Sequence, residues 1–188
     1  MNNYEYIIAS LPLPGQAASL DASALVGEIR SQLSESDNSL MDILLGGFDT
    51  ERLDEAFYTN ALASRNAFIR EYFLWDLRVR NTKTEYLNAK LGRPSGQDVI
   101  DLPDALEYDA RPEVESILAG TDILARERDL DSLMWDKCEQ LTQLHIFDAD
   151  IILAFTARLM ITERWNRLDP ATGREMFRSL VEEIRKTR

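Results

Sequence analysis

The stretch NAFIREYFLWDLRVRNTKTEYLNAKLGR (residues 66–93) decides the fold, because it is long and contains no proline and no glycine before Gly92. Large apolar side chains recur along it at steps of three, four or seven residues, at Phe68, Tyr72, Trp75, Val79 and Tyr86. These steps place the side chains on one stripe of an α-helix, which has about 3.6 residues per turn. The stretch predicts one long helix that starts near Ser64 and turns an apolar stripe towards a core.

The same spacing recurs through most of the remaining sequence. It is found in the segments 22–33, 39–45, 51–62, 113–120, 123–147, 149–168 and 171–188. Tyr4–Leu11 fits either a short strand or a first helix, and the rest of the chain lacks the apolar–polar alternation of strands. We therefore predict an all-α protein, a multi-helix bundle of about seven to eight helices.

Prolines and glycines interrupt the helical pattern mainly at residues 93–113, RPSGQDVIDLPDALEYDARPE. The prediction is a single helical domain, 1–188, with possible sub-lobes 1–92 and 112–188 joined by a loop over 93–111. Short polar residues that can cap the predicted helices stand before them: Ser19 or Asp21, Ser36 or Asp37, Asp49 or Thr50, Thr121 or Asp122, and Asp148. Pro112 suits the first turn of a helix that Gly120 ends.

The charge balance bears on the kind of partner. The formal net charge is −12, yet residues 67–93 carry six basic and three acidic side chains. Such an acidic chain lacks the broad basic face that nucleic-acid binding needs.

There is no apolar run of about 18 residues that could span a membrane. With one cysteine and no basic region before its first apolar patch, the chain is expected to be cytoplasmic.

Motifs for catalysis are missing from the sequence. Neither common phosphate-binding glycine loop occurs. His145 has no neighbouring histidine or cysteine with which to form a zinc site, so we interpret it as a partly buried or packing histidine. Cys138 is interpreted as a small buried hydrophobe, and Trp75, Trp135 and Trp165 as core anchors. We expect no catalytic residue, no cofactor and no metal.

Polar residues on the long helix are the candidates for a functional surface. The candidate partner interface consists of Arg78, Asn81, Lys83, Lys90 and Arg93. The alternative is that these groups are solvated or held by carboxylates of the same chain, as Asp76 would hold Arg80 four residues on. Arg78 and Arg80 point to different sides, since two residues span about 200° of a helix.

Two stretches resemble a bacterial family that is similar to the C-type subunit of V-type ATP synthases, which is the d-type subunit of eukaryotic enzymes. Residues 57–93 show its order of Asn66, an aromatic cluster, Asn81 with Lys83, and Gly92-Arg93. Residues 130–184 resemble it more clearly, through LDSLMWD, a helix from ILAF to ERW, and the ending LDPATGREMFRSLV. The C-type subunit itself is longer than this chain and has three similar helical lobes, so the chain resembles part of it.

The resemblance implies a non-catalytic, all-α coupling subunit or assembly partner of a V-type ATP synthase, at the connection between stalk and proteolipid ring. Its partners would be the central stalk, the ring or both, and it would lie on the cytoplasmic side, peripheral to the inner membrane through those partners. The alternative is a free-standing acidic helical adaptor that binds a basic protein. A pocket enzyme built on helical carboxylates and tryptophans is a third, less favoured hypothesis.

Overall fold

The computed structural model describes residues 2–12 and 21–167 of the chain, except for the side chain of Asn166. Within these residues the fold is all-helical, with eight α-helices and no β-strand, which confirms the predicted class. The helices are α1 (Glu5–Ser10), α2 (Ala22–Gln32), α3 (Glu35–Gly46), α4 (Glu55–Leu62), α5 (Ala67–Leu91), α6 (Arg111–Leu118), α7 (Ile123–Thr142) and α8 (Ala149–Arg167). The predicted helix over 171–188 and the candidate cap Ser19 lie outside the described residues.

The predicted long helix is α5, and capping residues explain where it begins and ends. The Asn66 side chain accepts a hydrogen bond from the Ile69 backbone N–H (2.8 Å), so the helix starts three residues after the predicted Ser64. At the other end Gly92 takes the left-handed conformation (φ 65°), which a glycine adopts without strain. The 25 residues between them span about 37 Å at ~1.5 Å per residue.

Most of the other helices also begin directly after a capping residue. Asp21, Asp122 and Asp148 accept backbone N–H groups at the starts of α2, α7 and α8, as the sequence predicts. The predicted start of α3 is wrong, because Ser34 caps that helix. Asp49 caps a 3₁₀ turn at the start of the next predicted segment, and Asp54 caps α4. The segment 51–62 is divided between a 3₁₀ turn, Thr50–Arg52, and the shorter α4.

Helix α5 lies at the centre and contacts α3, α4, α6, α7 and α8. Contact on several sides explains why its buried residues extend beyond the predicted stripe to include Ile69, Phe73 and Leu77. Its aromatic rings pack edge-on against neighbours, as Phe73 does against Phe57 at a centroid distance of 5.0 Å. Helix α8 packs on α2, α3 and α7, so the main core unites segments from before and after the 93–110 connection.

The connection between α5 and α6 runs back along α5 and is held by buried polar side chains. The Asn81 amide donates to the Ile100 carbonyl (2.8 Å) and accepts from the Ile100 N–H (3.1 Å). The Asn88 amide donates to the Gln97 carbonyl (2.7 Å).

Tyr4–Leu11 contains the short helix α1, which settles the choice between strand and helix. None of the described helices is both long and apolar enough to cross a membrane.

Candidate partner interface

Two of the predicted interface residues, Arg78 and Lys83, join α5 to neighbouring segments. Arg78 Nε donates to the Asp104 carbonyl (2.8 Å), and its guanidinium lies 5.5 Å from the centre of the Tyr108 ring. Lys83 Nζ donates to Glu127 of α7 at 2.6 Å. Both side chains remain partly exposed. They are therefore accessible to a partner, although both already make internal contacts.

Asn81 differs from the other predicted interface residues because it is buried. It is only 2% exposed, and both ends of its amide are bound to Ile100. Its polar side chain is explained by the connection that it fixes, since a buried amide requires partners. In the described structure Asn81 does not lie at a surface.

Lys90 and Arg93 lie at the end of α5, where apolar side chains are also exposed. Leu87 and Leu91, one helical turn apart, are 44% and 62% exposed. Lys90 Nζ lies 5.3 Å from the centre of the Tyr86 ring, and Arg93 is exposed. We call Leu87, Lys90, Leu91 and Arg93 the α5-end patch. Exposed leucines beside basic side chains are the composition expected of a binding surface.

In the described structure Asp76 and Arg80, considered above as a pair, each bind a different group. Asp76 accepts a hydrogen bond from the Tyr58 hydroxyl (2.6 Å), while Arg80 Nη1 donates to the Leu53 carbonyl (2.8 Å). Burial raises the pKa of Asp76, although the Tyr58 hydrogen bond and Arg80 oppose that rise. Burial also raises the pKa of Tyr58. These groups tie α5 to α4 and to the segment before it.

A groove with a volume of about 700 Å³ lies between α7 and α8. Its lining includes the apolar side chains Leu124, Trp135, Ile161 and Trp165 and the charged groups Arg128, Asp131 and Asp136. We call it the α7–α8 groove. Trp135 and Trp165 are half-buried and line this groove, and Trp165 also packs against the main core, as the sequence predicts.

Hydrogen bonds fix the polar side of the α7–α8 groove. Trp165 Nε1 donates to Asp131 Oδ2 at 2.6 Å, and Arg164 forms an ion pair with the same oxygen. Burial raises the pKa of Asp131, and the Arg164 charge opposes that rise. The Arg128 guanidinium lies 5.2 Å from the centre of the Trp165 ring. The Trp165 ring is thus held in place before any partner binds.

A smaller groove of about 550 Å³ adjoins the first, since Asp136 lines both. It contains Trp75, Arg78, Tyr108 and Lys137. Trp75 packs edge-on against Tyr108 at 5.7 Å, and Lys137 Nζ lies 5.6 Å from the Trp75 ring centre. Burial lowers the pKa of Lys137; the charge of Glu71 opposes this effect and that of Arg78 adds to it. Arg78 thereby belongs to a mixed aromatic and charged surface.

The remaining two sequence candidates, Cys138 and His145, differ in their burial. Cys138 is fully buried, as predicted, and burial raises the pKa of its thiol to about 12. His145 is partly buried, as predicted, and its Nδ1 lies 2.6 Å from Asp148 Oδ2 and 3.6 Å from Asp150 Oδ2. The neighbours of His145 are thus carboxylates and not histidines or cysteines. The spacing His-x-x-Asp-x-Asp before a predicted helix is the signal that could find them.

No curated protein and no solved structure matches the chain. The model of one protein family does match it, over residues 48–188. The matched part contains α4 to α8, and with them the α5-end patch and both grooves. Because the match covers well over half of the sequence, the chain belongs to the family described as "Protein of unknown function (DUF2764)".

Proposed function

We propose that this protein is a non-catalytic coupling subunit or assembly partner of a V-type ATP synthase, at the connection between central stalk and proteolipid ring. One observation carries the proposal. Trp135 belongs to LDSLMWD and Trp165 to the helix that ends in ERW, two of the three pieces with the most specific resemblance to the bacterial family that is similar to the C-type subunit, and both line the α7–α8 groove. Two of the pieces that carry the resemblance thus meet at one surface.

The α7–α8 groove suits a helix of a partner protein. Amphipathic helices bind to other proteins by placing their apolar face in such a groove, with polar contacts at the rim. Here indole rings and Ile161 supply the apolar surface, while Arg128 and Asp136 supply charges of both signs. A pre-positioned tryptophan loses little side-chain entropy on binding, which favours affinity.

Rigidity is a further requirement for coupling, and α5 provides it. The helix is packed against five others, and Asn81 and Asn88 fasten the following connection to it. Force applied at the α5-end patch would be carried by one continuous helix into the core. The patch offers a second surface, with basic and apolar side chains, for another component of the enzyme.

Co-purification from cells that assemble a V-type ATP synthase tests the proposal. The tagged full chain should recover components of the central stalk or the proteolipid ring. Trp135→Ser should reduce that recovery, whereas Leu144→Ser should not, because Leu144 is 95% exposed and does not line the groove. Recovery of no ATP synthase component would overturn the proposal. A salt-sensitive basic partner in their place would favour the adaptor hypothesis.

A further inference from the structure

The short turn between α7 and α8 brings one imidazole and two carboxylates together. His145 Nδ1, Asp148 and Asp150 each offer one atom, and these three atoms lie within 4.8 Å of one another. The two carboxylates are nearly buried, with Asp148 9% and Asp150 8% exposed. The turn is fixed from outside as well, because the Tyr4 N–H donates to the Phe147 carbonyl at 2.7 Å.

The second oxygen of each carboxylate is already held by another group. Asn66 Nδ2 donates to Asp150 Oδ1 at 2.6 Å, and the Asp150 N–H donates to Asp148 Oδ1 at 3.2 Å. Both Oδ2 atoms are consequently the ones that face the imidazole. Such supporting hydrogen bonds orient the ligands of protein metal sites. Asn66 is itself held in place, because its Oδ1 caps α5.

The charges in this cluster do not balance. One Nδ1 carries at most one hydrogen, so it can donate to only one of the two Oδ2 atoms. Asp37 adds a further negative charge that acts on Asp150. The N-terminus of α8 offsets part of this excess, with a partial charge of roughly +0.5. A cation among the three side chains would offset the remainder.

We infer that His145, Asp148 and Asp150 bind a divalent first-row transition-metal ion such as Zn²⁺. Imidazole favours such ions over Mg²⁺ and Ca²⁺, which prefer oxygen ligands alone. Ligand atoms around tetrahedral Zn²⁺ lie about 3.4 Å apart, given bonds of ~2.0–2.1 Å. The distance of 3.6 Å from Nδ1 to Asp150 Oδ2 already suits this, and the 2.6 Å hydrogen bond to Asp148 is replaced by the metal. Water completes the coordination.

The ion would fasten three parts of the fold. His145 belongs to the turn, Asp148 and Asp150 belong to the start of α8, and Asn66 connects them to the start of α5. The site lies outside the α7–α8 groove, since none of its residues lines that groove. It therefore does not depend on the function proposed above, and the two succeed or fail separately.

His145 is the only histidine in the sequence, which makes the test direct. Zn²⁺ is titrated into the full chain while the imidazole nitrogens are followed by ¹⁵N NMR and the heat by calorimetry. We expect one ion per chain and a metal-dependent shift of the Nδ1 resonance. The absence of saturable binding, or a shift confined to Nε2, would overturn the inference without recourse to any variant.

Variants then test the ligands. His145→Gln and Asp150→Asn should each weaken Zn²⁺ binding at least about tenfold, and Asn66→Ser, which keeps a helix cap but removes the amide donor, by about 10–100-fold. Asp129→Asn on the exposed side of α7 is the matched control and should bind as the natural chain does. Equal binding by all four would show that Zn²⁺ attaches to surface carboxylates, which also overturns the inference.

Discussion

Asn66 Nδ2 donates a hydrogen bond to Asp150 Oδ1 over 2.6 Å, and so joins the starts of α5 and α8 across 84 residues of sequence. The oxygen of the same amide accepts a hydrogen bond from the Ile69 N–H. One side chain thus performs two functions, a helix cap and a contact between helices. Asp150 needs the contact, because burial raises its pKa and this hydrogen bond opposes the rise.

The two functions of Asn66 can be separated by substitution. Asn66→Ser keeps a capping oxygen and should lower the free energy of unfolding by about 1–3 kcal/mol, the effect of removing a hydrogen bond from a buried charged group. Asn66→Ala should cost about a further 1 kcal/mol, since the cap is lost as well. Urea denaturation measures both values in metal-free buffer. Equal stability of the two variants would contradict the capping contribution.

Asn81→Ala is expected to destabilise the fold without involving any partner. The substitution leaves both the N–H and the carbonyl of Ile100 without the amide that binds them. Unsatisfied buried groups cost about 1–3 kcal/mol each, and water that reaches the connection would reduce the total. Thermal and urea denaturation of the purified chain should show a loss of about 2–4 kcal/mol. The exposed Arg93→Ala should change stability by less than about 0.5 kcal/mol. If Asn81→Ala left the free energy of unfolding unchanged, Asn81 would again be a candidate for the partner interface.

Asn81 also shows where sequence reasoning ends. The period of residues 66–93 predicts α5 to within a few residues, because helix periodicity and capping are local properties. Periodicity cannot reveal that a distant backbone segment satisfies one polar side chain, so the sequence alone places Asn81 at the surface with its charged neighbours. The correct placement depends on the path of the connection, which returns from Gly92 to Ile100.

The His145 cluster has one part that the sequence can predict and one part that it cannot. Its three members lie within six residues of each other, so their proximity can be read from the sequence. Asn66, which orients Asp150, enters only through the packing of α5 against α8. Similarly, the sequence identifies Trp135 and Trp165 as anchors on amphipathic helices. Only the fold shows that both line a groove and are half-buried.

Two glycines provide a matched test of the packing around α5. A Cβ atom on Gly47 would lie 2.3 Å from Cε1 and 2.5 Å from Cζ of the buried Phe73 ring, so Gly47→Ala forces that ring to move. Such overpacking costs about 1–3 kcal/mol. Gly27 lies within α2, and a Cβ atom there would meet no side chain or backbone from elsewhere in the fold within 4 Å, so Gly27→Ala should stabilise by up to about 1 kcal/mol. Opposite shifts of the melting temperature are expected, and a stable Gly47→Ala would contradict the close approach of Phe73.

The Tyr58–Asp76 hydrogen bond predicts a pH-dependent effect. The pKa of Asp76 is raised above 3.8 in the folded chain, so ionisation opposes folding. The stability that this carboxyl contributes is therefore greatest below pH 3.8 and is lost as the pH rises through the folded-state pKa. Tyr58→Phe removes a hydrogen bond that favours the ionised form, so its destabilising effect should be larger at about pH 7 than at about pH 4.

Urea denaturation of the natural chain and Tyr58→Phe at both pH values measures that difference. In an Asp76→Asn background the carboxyl is absent, so the effect of Tyr58→Phe should no longer depend on pH. A pH-dependent effect that persists in that background would assign the titration to another group.

The α5-end patch predicts a loss of binding without a loss of stability. Lys90→Glu combined with Arg93→Glu reverses two exposed charges beside Leu87 and Leu91. Exposed ion pairs contribute about 0.2–1 kcal/mol each. The loss of two such pairs, together with like-charge repulsion, should weaken the binding of an acidic partner by roughly tenfold. The melting temperature should stay nearly constant, since neither head group is buried. Arg52→Glu, a charge reversal at another exposed position, is the control. Capture of V-type ATP synthase components by the double variant at the level of the natural chain would remove this patch from the proposed interface and leave the α7–α8 groove as its main candidate.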